Sequence, residues 1–198
     1  MELTIDPRLQ AIIQQARQWI RENPVFMDTE TTGLDKNAEI VEIAVIDWDG
    51  SILFESFVRP SRPIPPDLTA IHGIDNQMVK KAPTFPVVWA SLRTYLLDRK
   101  IALYNAEFDL RMMRQSYEIY KLAWKERLTT LDIMQLYAAY RGEWDATRRA
   151  YRYFKLEEAG KSLRIPLPNS HRAADDARLT RALLYAIAGM DYSFGKPE

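Results

Sequence analysis

PVFMDTETTGL, residues 24–34, places two acids directly after a short apolar run. The apolar residues 25–27 predict a β-strand, and Asp28 and Glu30 follow at a spacing of two. Because side chains alternate between the faces of a strand, Asp28 and Glu30 are expected on one face and Thr29 on the other. Two carboxylates this close raise each other's pKa unless a cation or a proton lies between them. The stretch predicts either a cation site at a strand end or a strand that runs into a polar loop.

Composition narrows the classes of function. The chain has 198 residues, 47% hydrophobic and 27% charged, which is typical of one globular domain with a sizeable core. It has no cysteine, so disulfides, thiolate zinc sites and cysteine nucleophiles are excluded. The formal net charge is zero, so contacts with phosphates must come from local patches or bound cations. No signal peptide or membrane-spanning run is recognised, and we expect a cytoplasmic protein without membrane contact.

Hydrophobic periodicity predicts an α/β domain. An Asp-Pro start signal and helical spacing predict an amphipathic helix within residues 1–23, which either packs against the domain or binds a partner. Residues 39–47 and 52–58 are predicted strands joined by an Asp-Gly hairpin, and 101–104 is a predicted strand parallel to the first. The segment IHGIDNQMV predicts a short helix or a structured turn. Further helices are predicted at 84–98, after Asn105 as N-cap, at 131–140, at 151–163 and at 173–190.

Two more acids and a histidine have positions that merit a functional interpretation. Asp109 and Asp176 each fall in the first turn of a predicted helix, where the helix dipole alone would favour a negative charge. Asp176 is also in helical phase with the stripe that must face the sheet, formed by Leu179, Leu183, Ile187 and Met190. An acid in a buried stripe must be paired, protonated or bound to a metal. His171, one of only two histidines, reaches the same pocket if its loop folds over this helix start.

The four acids are therefore expected to converge at one edge of a sheet, beside His171. A set of carboxylate ligands without cysteine suits hard cations such as Mg²⁺ or Mn²⁺. Two such ions about 3.5–4 Å apart activate a water and stabilise the leaving oxygen in phosphodiester cleavage. The pattern indicates a metal-dependent phosphodiester hydrolase.

Three segments, FMDTETTGL, LYNAEFDLRMM and HRAADDA, resemble in this order the motifs of the DEDDh exonucleases. This ribonuclease H-like family includes the proofreading epsilon subunit of bacterial DNA polymerase III. A fourth segment, IHGI around His72, is similar to one that recurs in the family between the third strand and the next helix. The resemblance covers residues 24–188, and three motifs in the expected order and context are specific together although each is weak alone.

The resemblance implies a ribonuclease H-like α/β fold with a mixed five-stranded sheet, its first three strands antiparallel, flanked by helices. The exonuclease domain would span residues 24–190, followed by a short tail at 191–198. The implied activity is that of a 3′–5′ exonuclease that uses two Mg²⁺ or Mn²⁺ ions to release nucleoside monophosphates, with DNA favoured as substrate. The resemblance implies that Asp28 bridges the two ions and that Glu30 and Asp176 are further ligands. It also implies that Asp109 is a direct or water-mediated ligand and that His171 is the general base.

The same motifs imply contacts with the substrate. The implied residues are Thr31, Leu34, Asn105 and Phe108, and His72 is assigned either a structural role or a place beside the substrate. Tyr104 stands where many relatives have a histidine, which is expected to alter the packing of the terminal nucleotide. Residues 141–164 mix seven basic and four acidic residues with aromatics, which indicates either a surface for a single strand or the solvated face of an amphipathic helix.

The expected partner is the 3′ end of single-stranded DNA or RNA, with a DNA polymerase or repair complex as a further partner. Residues 191–198 contain no recognisable clamp-binding peptide of the kind that the epsilon subunit uses. Two alternatives stay open. One is an RNA exonuclease acting on short oligoribonucleotides or RNA ends, because contacts with the 2′-hydroxyl cannot be read from spacing. The other is a non-catalytic nucleic-acid-binding or scaffold protein with the same fold.

Overall fold

The structure is a computed structural model that describes residues 6–167 and 170–192. Its main sheet has five strands, which are β1 Val25–Thr31, β2 Ile40–Ile46, β3 Ile52–Phe57, β4 Lys100–Leu103 and β5 Thr129–Asp132. Their order in the sheet is β3-β2-β1-β4-β5, so β1 is central. The first three strands pair antiparallel, whereas β4 runs parallel to β1 and β5 runs parallel to β4. The predicted mixed sheet is confirmed.

Helices cover both faces of the sheet. They are α1 Pro7–Arg21, α2 Pro66–His72, α3 Asn76–Val79, α4 Phe85–Leu96, α5 Ala106–Glu118, α6 Ile133–Arg141, α7 Leu156–Ser162 and α8 Ala173–Ile187. Helix α8 packs across β1, β2 and β4 on one face, and α4 and α5 cover the other. Accordingly, Phe26 of β1 lies in the core beneath α8, whereas Val25 and Met27 lie in the core beneath α4 and α5. None of the helices described is long and apolar enough to cross a membrane.

The predicted helix at residues 151–163 is wrong in its first part. A small hairpin, β6 Trp144–Asp145 and β7 Ala150–Tyr151, occupies this region, and α7 begins only at Leu156. The carboxylate of Asp145 accepts hydrogen bonds from the backbone amides of Thr147 (2.9 Å) and Arg148 (3.1 Å) and so closes the turn. Periodicity missed this hairpin because each strand has only two residues.

Two other helix bounds differ from the prediction. Helix α8 ends at Ile187 instead of Met190, because Gly189 adopts a left-handed φ of 67° and ends the helix. Met190 is therefore 43% exposed and does not belong to the buried stripe of Asp176. Helix α6 begins at Ile133, and the residues just before it form β5, which periodicity alone did not predict. The IHGIDNQMV segment contains the end of α2, a short connection at residues 73–75 and the whole of α3.

Helix α1 is part of the same core as the sheet. Ala16 and Ile20 are buried in the cluster that α8 and α6 share. Arg17 Nε donates to the carbonyl of Ala188 (2.9 Å) just after α8, and Arg8 donates to the carbonyl of Ala139 in α6. The helix therefore packs against the domain, as one of the two interpretations predicted. Residues 1–5 of the predicted helical segment and 193–198 of the predicted tail lie outside the described residues.

We expect Ile20→Ala to lower the free energy of unfolding by about 2–4 kcal/mol, because it removes buried methyl groups and leaves a cavity beneath α1. Urea unfolding followed by circular dichroism measures the change. The control is Gln14→Ala on the exposed face of α1, which should alter stability by no more than about 0.5 kcal/mol. Equal stability of the two variants would contradict the packing role of α1.

Candidate active site

Three carboxylates meet where β1 passes beneath the start of α8. Asp28 and Glu30 share the face of β1 that α8 covers, as alternation predicts, and Asp176 lies in the first turn of α8. One oxygen of each side chain lies within 4.8 Å of the others. The two acids of the first motif and the last acid of the third motif are therefore brought together, although nearly 150 residues separate them along the chain.

Burial and mutual repulsion make these carboxyls hard to ionise. Burial raises the pKa of Asp28 well above its usual value, and the charges of Asp109, Glu30 and Asp176 raise it further. Burial likewise raises the pKa of Glu30 to about 8, and Asp176 and Glu42 add to this effect. The positive charge of Arg172 counteracts these effects and lowers the pKa of Glu30. A cation bound among these groups would oppose both effects and stabilise their ionised forms.

Asp109 reaches the site from the other face of the sheet. It is buried in the first turn of α5, and its Oδ1 accepts a hydrogen bond of 2.7 Å from the hydroxyl of Thr29. Burial raises its pKa, and the hydrogen bond from Thr29 counteracts that shift. Asp109 lies beside the group of three carboxylates and not within it, but its charge is the largest electrostatic influence on the pKa of Asp28.

The donor set fits hard divalent cations. All three clustered side chains offer carboxylate oxygens, the ligands that Mg²⁺ and Mn²⁺ prefer. Within residues 6–167 and 170–192, no Lys or Arg side chain forms an ion pair with Asp28 or Glu30. Clustered buried charges need a counter-ion or a proton, so these residues are suited to hold metal.

His171 is exposed and lines the same cleft as Asp28 and Asp176. The cleft has a volume of about 810 Å³, large enough for a small ligand or part of a larger one. Its far wall, away from the acids along the chain, is formed by residues 153–158, which follow the β6–β7 hairpin and include the first turn of α7. The imidazole that sequence analysis placed near the acids therefore shares their solvent-accessible cavity.

The five residues predicted to contact substrate occupy three places. Leu34, 74% exposed, and Asn105 line the cleft. Phe108 lines a smaller cleft of about 200 Å³ next to Asn105. Thr31 and His72 are buried, and their side chains form hydrogen bonds with the main chain. The Thr31 hydroxyl donates to the carbonyl of Gly33 (2.8 Å). His72 Nδ1 accepts from the amide of Ile74 (3.0 Å). Of its two alternatives, His72 has the surroundings of a structural residue.

Asn105 was also predicted to cap α5 with its side chain, and it does not. Asn105 does stand at the N-cap position, in a left-handed conformation with φ of 74°, but its side chain makes no capping hydrogen bond. The carboxylate of Asp132 instead accepts from the amide of Ala106 (3.1 Å) at the start of α5. The amide side chain of Asn105 therefore lines the cleft without a capping role.

Two contacts at the site, made by Tyr104 and Glu42, were not predicted from the sequence. Tyr104 donates its hydroxyl hydrogen bond to the carbonyl of Phe154 (2.8 Å), which ties the far wall of the cleft to the end of β4. Glu42, 1% exposed, accepts a two-pronged salt bridge from Arg172 at the start of α8. The sequence does contain a signal for this salt bridge, since Glu42 is an acid inside the apolar run EIVEIAVID. An acid in a strand that is buried on both faces must be paired.

The chain is similar to known exonucleases. The RNase_T family model, described as an exonuclease, matches residues 25–184. The uncharacterized exonuclease CP81 of Escherichia phage 186 is 37% identical over 185 residues, covering 89% of this chain and 94% of that protein. The DNA polymerase III subunit epsilon of Rickettsia prowazekii (strain Madrid E) is 27% identical over 178 residues, covering 83% of this chain and 73% of that protein.

Solved structures show the same architecture. Exonuclease X in complex with 5′ overhanging duplex DNA superimposes with a TM-score of 0.61 at 29% identity, covering 83% of this chain and 90% of that one. E. coli Exonuclease I in complex with a dA16 oligonucleotide has a TM-score of 0.64 at 19% identity, covering 80% of this chain and 39% of that one. At that identity the second match supports the fold alone. The chain belongs to the RNase_T exonuclease family, which confirms the 3′–5′ exonuclease predicted from its three motifs.

Proposed function

We propose that this exonuclease depends on divalent metal ions and removes nucleoside monophosphates from the 3′ end of DNA. The approach of carboxylate oxygens from Asp28, Glu30 and Asp176 to within 4.8 Å, in a cleft shared with His171, carries this proposal. Relatives that are subunits of DNA polymerase III, and a neighbour solved with DNA, support DNA as the substrate. Association with a polymerase or repair complex stays a prediction.

The residues proposed to hold the ions are Asp28, Glu30 and Asp176, with Asp109 contributing directly or through a water. When bound, divalent cations supply Lewis-acid polarisation of the phosphate and stabilise the leaving oxygen. The chain's own residues hold several carboxyl groups close together in a buried place, where a bound cation would favour their ionised form. Helix starts at Asp109 and Asp176 assist, because negative charge is stabilised at a helix N-terminus.

His171 is proposed as the general base. An imidazole can take a proton from water near neutral pH, and this one is exposed in the cleft that Asp28 and Asp176 line. Among the described residues no other histidine lines this cleft, and His72 is buried. The imidazole therefore has access both to solvent water and to a phosphate positioned near the acids.

The far wall of the cleft is proposed to bind the strand. Tyr153 is 49% exposed and offers a ring on which a base can stack, and Lys155 next to it can contact a phosphate. Phe154 is already packed between the guanidinium groups of Arg141 (4.8 Å) and Arg152 (5.0 Å). We infer that Phe154 supports this wall and that Tyr153 faces the substrate.

The β6–β7 hairpin extends this surface. The side chains of Arg148 and Arg152 are 76% and 61% exposed, and their ion pairs with Asp145 (3.6 Å) and Glu143 (3.4 Å) are exposed too. Exposed pairs of this kind contribute little energy, so the arginines remain able to contact phosphates. Arg149 at the hairpin turn is exposed as well. These observations favour the strand-binding interpretation of this segment over that of a solvated helix face.

We expect the parent protein to shorten a 5′-labelled single-stranded DNA stepwise from its 3′ end with Mg²⁺ or Mn²⁺ and not with chelator. Asp28→Asn should lower kcat by roughly 10³-fold or more, because metal stabilisation of the transition state is worth several kcal/mol. His171→Ala should lower kcat by about 10²- to 10⁴-fold through loss of the base. Time courses on denaturing gels measure both rates.

Asp67→Asn on the exposed side of α2 is the control and should keep the parental rate. Parallel time courses with duplex DNA and RNA separate the alternatives, since faster degradation of oligoribonucleotides would favour the RNA exonuclease. Undiminished cleavage by Asp28→Asn would remove the proposed metal role of that residue. A protein that binds the strand but cleaves none of the three would support the scaffold interpretation.

Metal binding should be visible without activity. At a hundred times the dissociation constant a ligand stabilises the folded state by about 2.7 kcal/mol, which for a chain of this size corresponds to roughly 5–10 °C in Tm. We expect Mn²⁺ to raise the Tm of the parent protein and of Asp67→Asn by this amount. Asp28→Asn should raise the Tm in chelator, because it relieves repulsion from Glu30 and Asp109, and should lose most of the Mn²⁺ effect. Differential scanning fluorimetry tests this, and an equal Mn²⁺ effect in all three proteins would contradict the metal site.

The hairpin arginines should contribute to DNA binding. Replacing Arg148, Arg149 and Arg152 together by Gln should weaken single-strand binding, and the slope of log K against log [salt] should fall by roughly 2 if all three meet phosphates. Fluorescence anisotropy of a labelled oligonucleotide measures both. The control removes three exposed lysines that do not line the cleft, Lys80, Lys81 and Lys121. If the slope of log K against log [salt] were identical in the two triple variants, the arginines would not contact phosphates and would belong to a solvated face.

A further inference from the structure

His171 has an unusual backbone for a residue with a side chain. Its φ is 52°, in the left-handed region that non-glycine residues seldom adopt because of contacts with Cβ. His171 is also exposed, so burial of its own side chain does not impose this conformation. Strained conformations persist only where the surroundings over-determine them. The contacts of the two adjacent residues must therefore supply the restraint.

The residue after His171 is attached by its side chain to strand β2. Arg172 donates from Nε and Nη2 to the carboxylate of Glu42 on β2, with the shortest contact at 2.5 Å. The same carboxylate accepts from the backbone amide of Ala173 (3.0 Å), one of the amides at the start of α8 that lack a partner inside the helix. Glu42 stands directly opposite Glu30 in the β1–β2 register. Glu42 therefore fixes the position of the start of α8 relative to β1, the strand that carries Asp28 and Glu30.

The residue before His171 is fixed to α8 itself. Ser170 Oγ donates to Asp175 Oδ2 (2.8 Å), and Arg178 Nη1 contacts Asp175 Oδ1 (3.0 Å). The histidine is thus held between two side-chain attachments, one to β2 and one to α8. Because Asp176 follows Asp175 in the first turn of α8, an attachment that fixes this turn also fixes the position of Asp176.

We propose that the Glu42–Arg172 pair, assisted by Ser170–Asp175, is a positioning device for catalysis: it orients His171 over the cleft and sets the distance of Asp176 from β1. The inference rests on the proposed function, in which His171 and Asp176 act on the substrate. Glu42 and Arg172 are positioning residues, and they act through His171 and Asp176 without contacting the reacting atoms. A lysine in place of Arg172 keeps the charge but cannot make the two-pronged contact, so it should not restore the geometry.

The test compares Glu42→Gln, Arg172→Lys and Ser170→Ala with the control Asp47→Asn. Asp47 follows β2 and pairs with Arg99 (2.6 Å), so the control also removes a carboxylate salt bridge close to that strand. We expect kcat to fall by about 10- to 100-fold for Glu42→Gln and Arg172→Lys and less for Ser170→Ala, with KM changed less than about threefold. The control should lose stability in thermal unfolding but keep its kcat.

A second readout is independent of activity and of metal. The chain has only two histidines, so the imidazole signals of His171 can be assigned in NMR spectra as those that disappear in His171→Ala. In chelator, these signals should shift or broaden in Glu42→Gln, Arg172→Lys and Ser170→Ala and stay in place in Asp47→Asn. An inactive parent protein would contradict the proposed function, yet the spectra would still test the positioning. The inference would be overturned if the three folded variants kept the parental kcat and showed unshifted His171 signals. It would also be overturned if Asp47→Asn lost as much kcat as these three variants.

Discussion

The repulsion among the carboxylates around β1 is the constraint on which the site depends. At about 5 Å and an effective dielectric constant near 20, one such pair of charges repels by on the order of 3 kcal/mol. The apolar core opposes this repulsion, because β2 is buried along its whole length and β1 carries buried side chains into both cores. The same crowding supports the proposal of a metal site, because a small, highly charged cation would relieve this repulsion.

The sheet brings the acids together from both of its faces. Helix α8 carries Asp176 on one face, with His171 just before its start, and α5 carries Asp109 on the other face, where Thr29 donates to its carboxylate. Side-chain alternation in β1 makes this possible, since Asp28 and Glu30 turn toward α8 while Thr29 between them turns toward α5. A single strand therefore links acids that lie on opposite sides of the sheet.

The structure also separates the clustered acids from the wall of the cleft that is proposed to bind substrate. The acids lie on a central strand and at the starts of two well-packed helices, which suits chemistry that tolerates little displacement. The wall at residues 153–158 follows the β6–β7 hairpin, includes the first turn of α7, and is held to the end of β4 by the hydrogen bond from Tyr104 to Phe154. Loops and short segments of this kind vary more readily than a central sheet, so this wall can change while the acids on the sheet stay the same.

The sequence by itself determined the first four strands, most helices and the candidate acids, because each depends on local patterns: period-two alternation, helical spacing, a hairpin signal at Asp49-Gly50 and three short motifs. Only the tertiary structure decided what depends on contacts between distant segments. It paired Glu42 with Arg172, placed Asp109 beside the three clustered carboxylates, ended α8 before Met190 and replaced the start of a predicted helix by the β6–β7 hairpin. The physical reason is that periodicity reports which face of an element is buried, whereas a charge inside the protein is satisfied by whichever residue the fold brings within hydrogen-bonding distance.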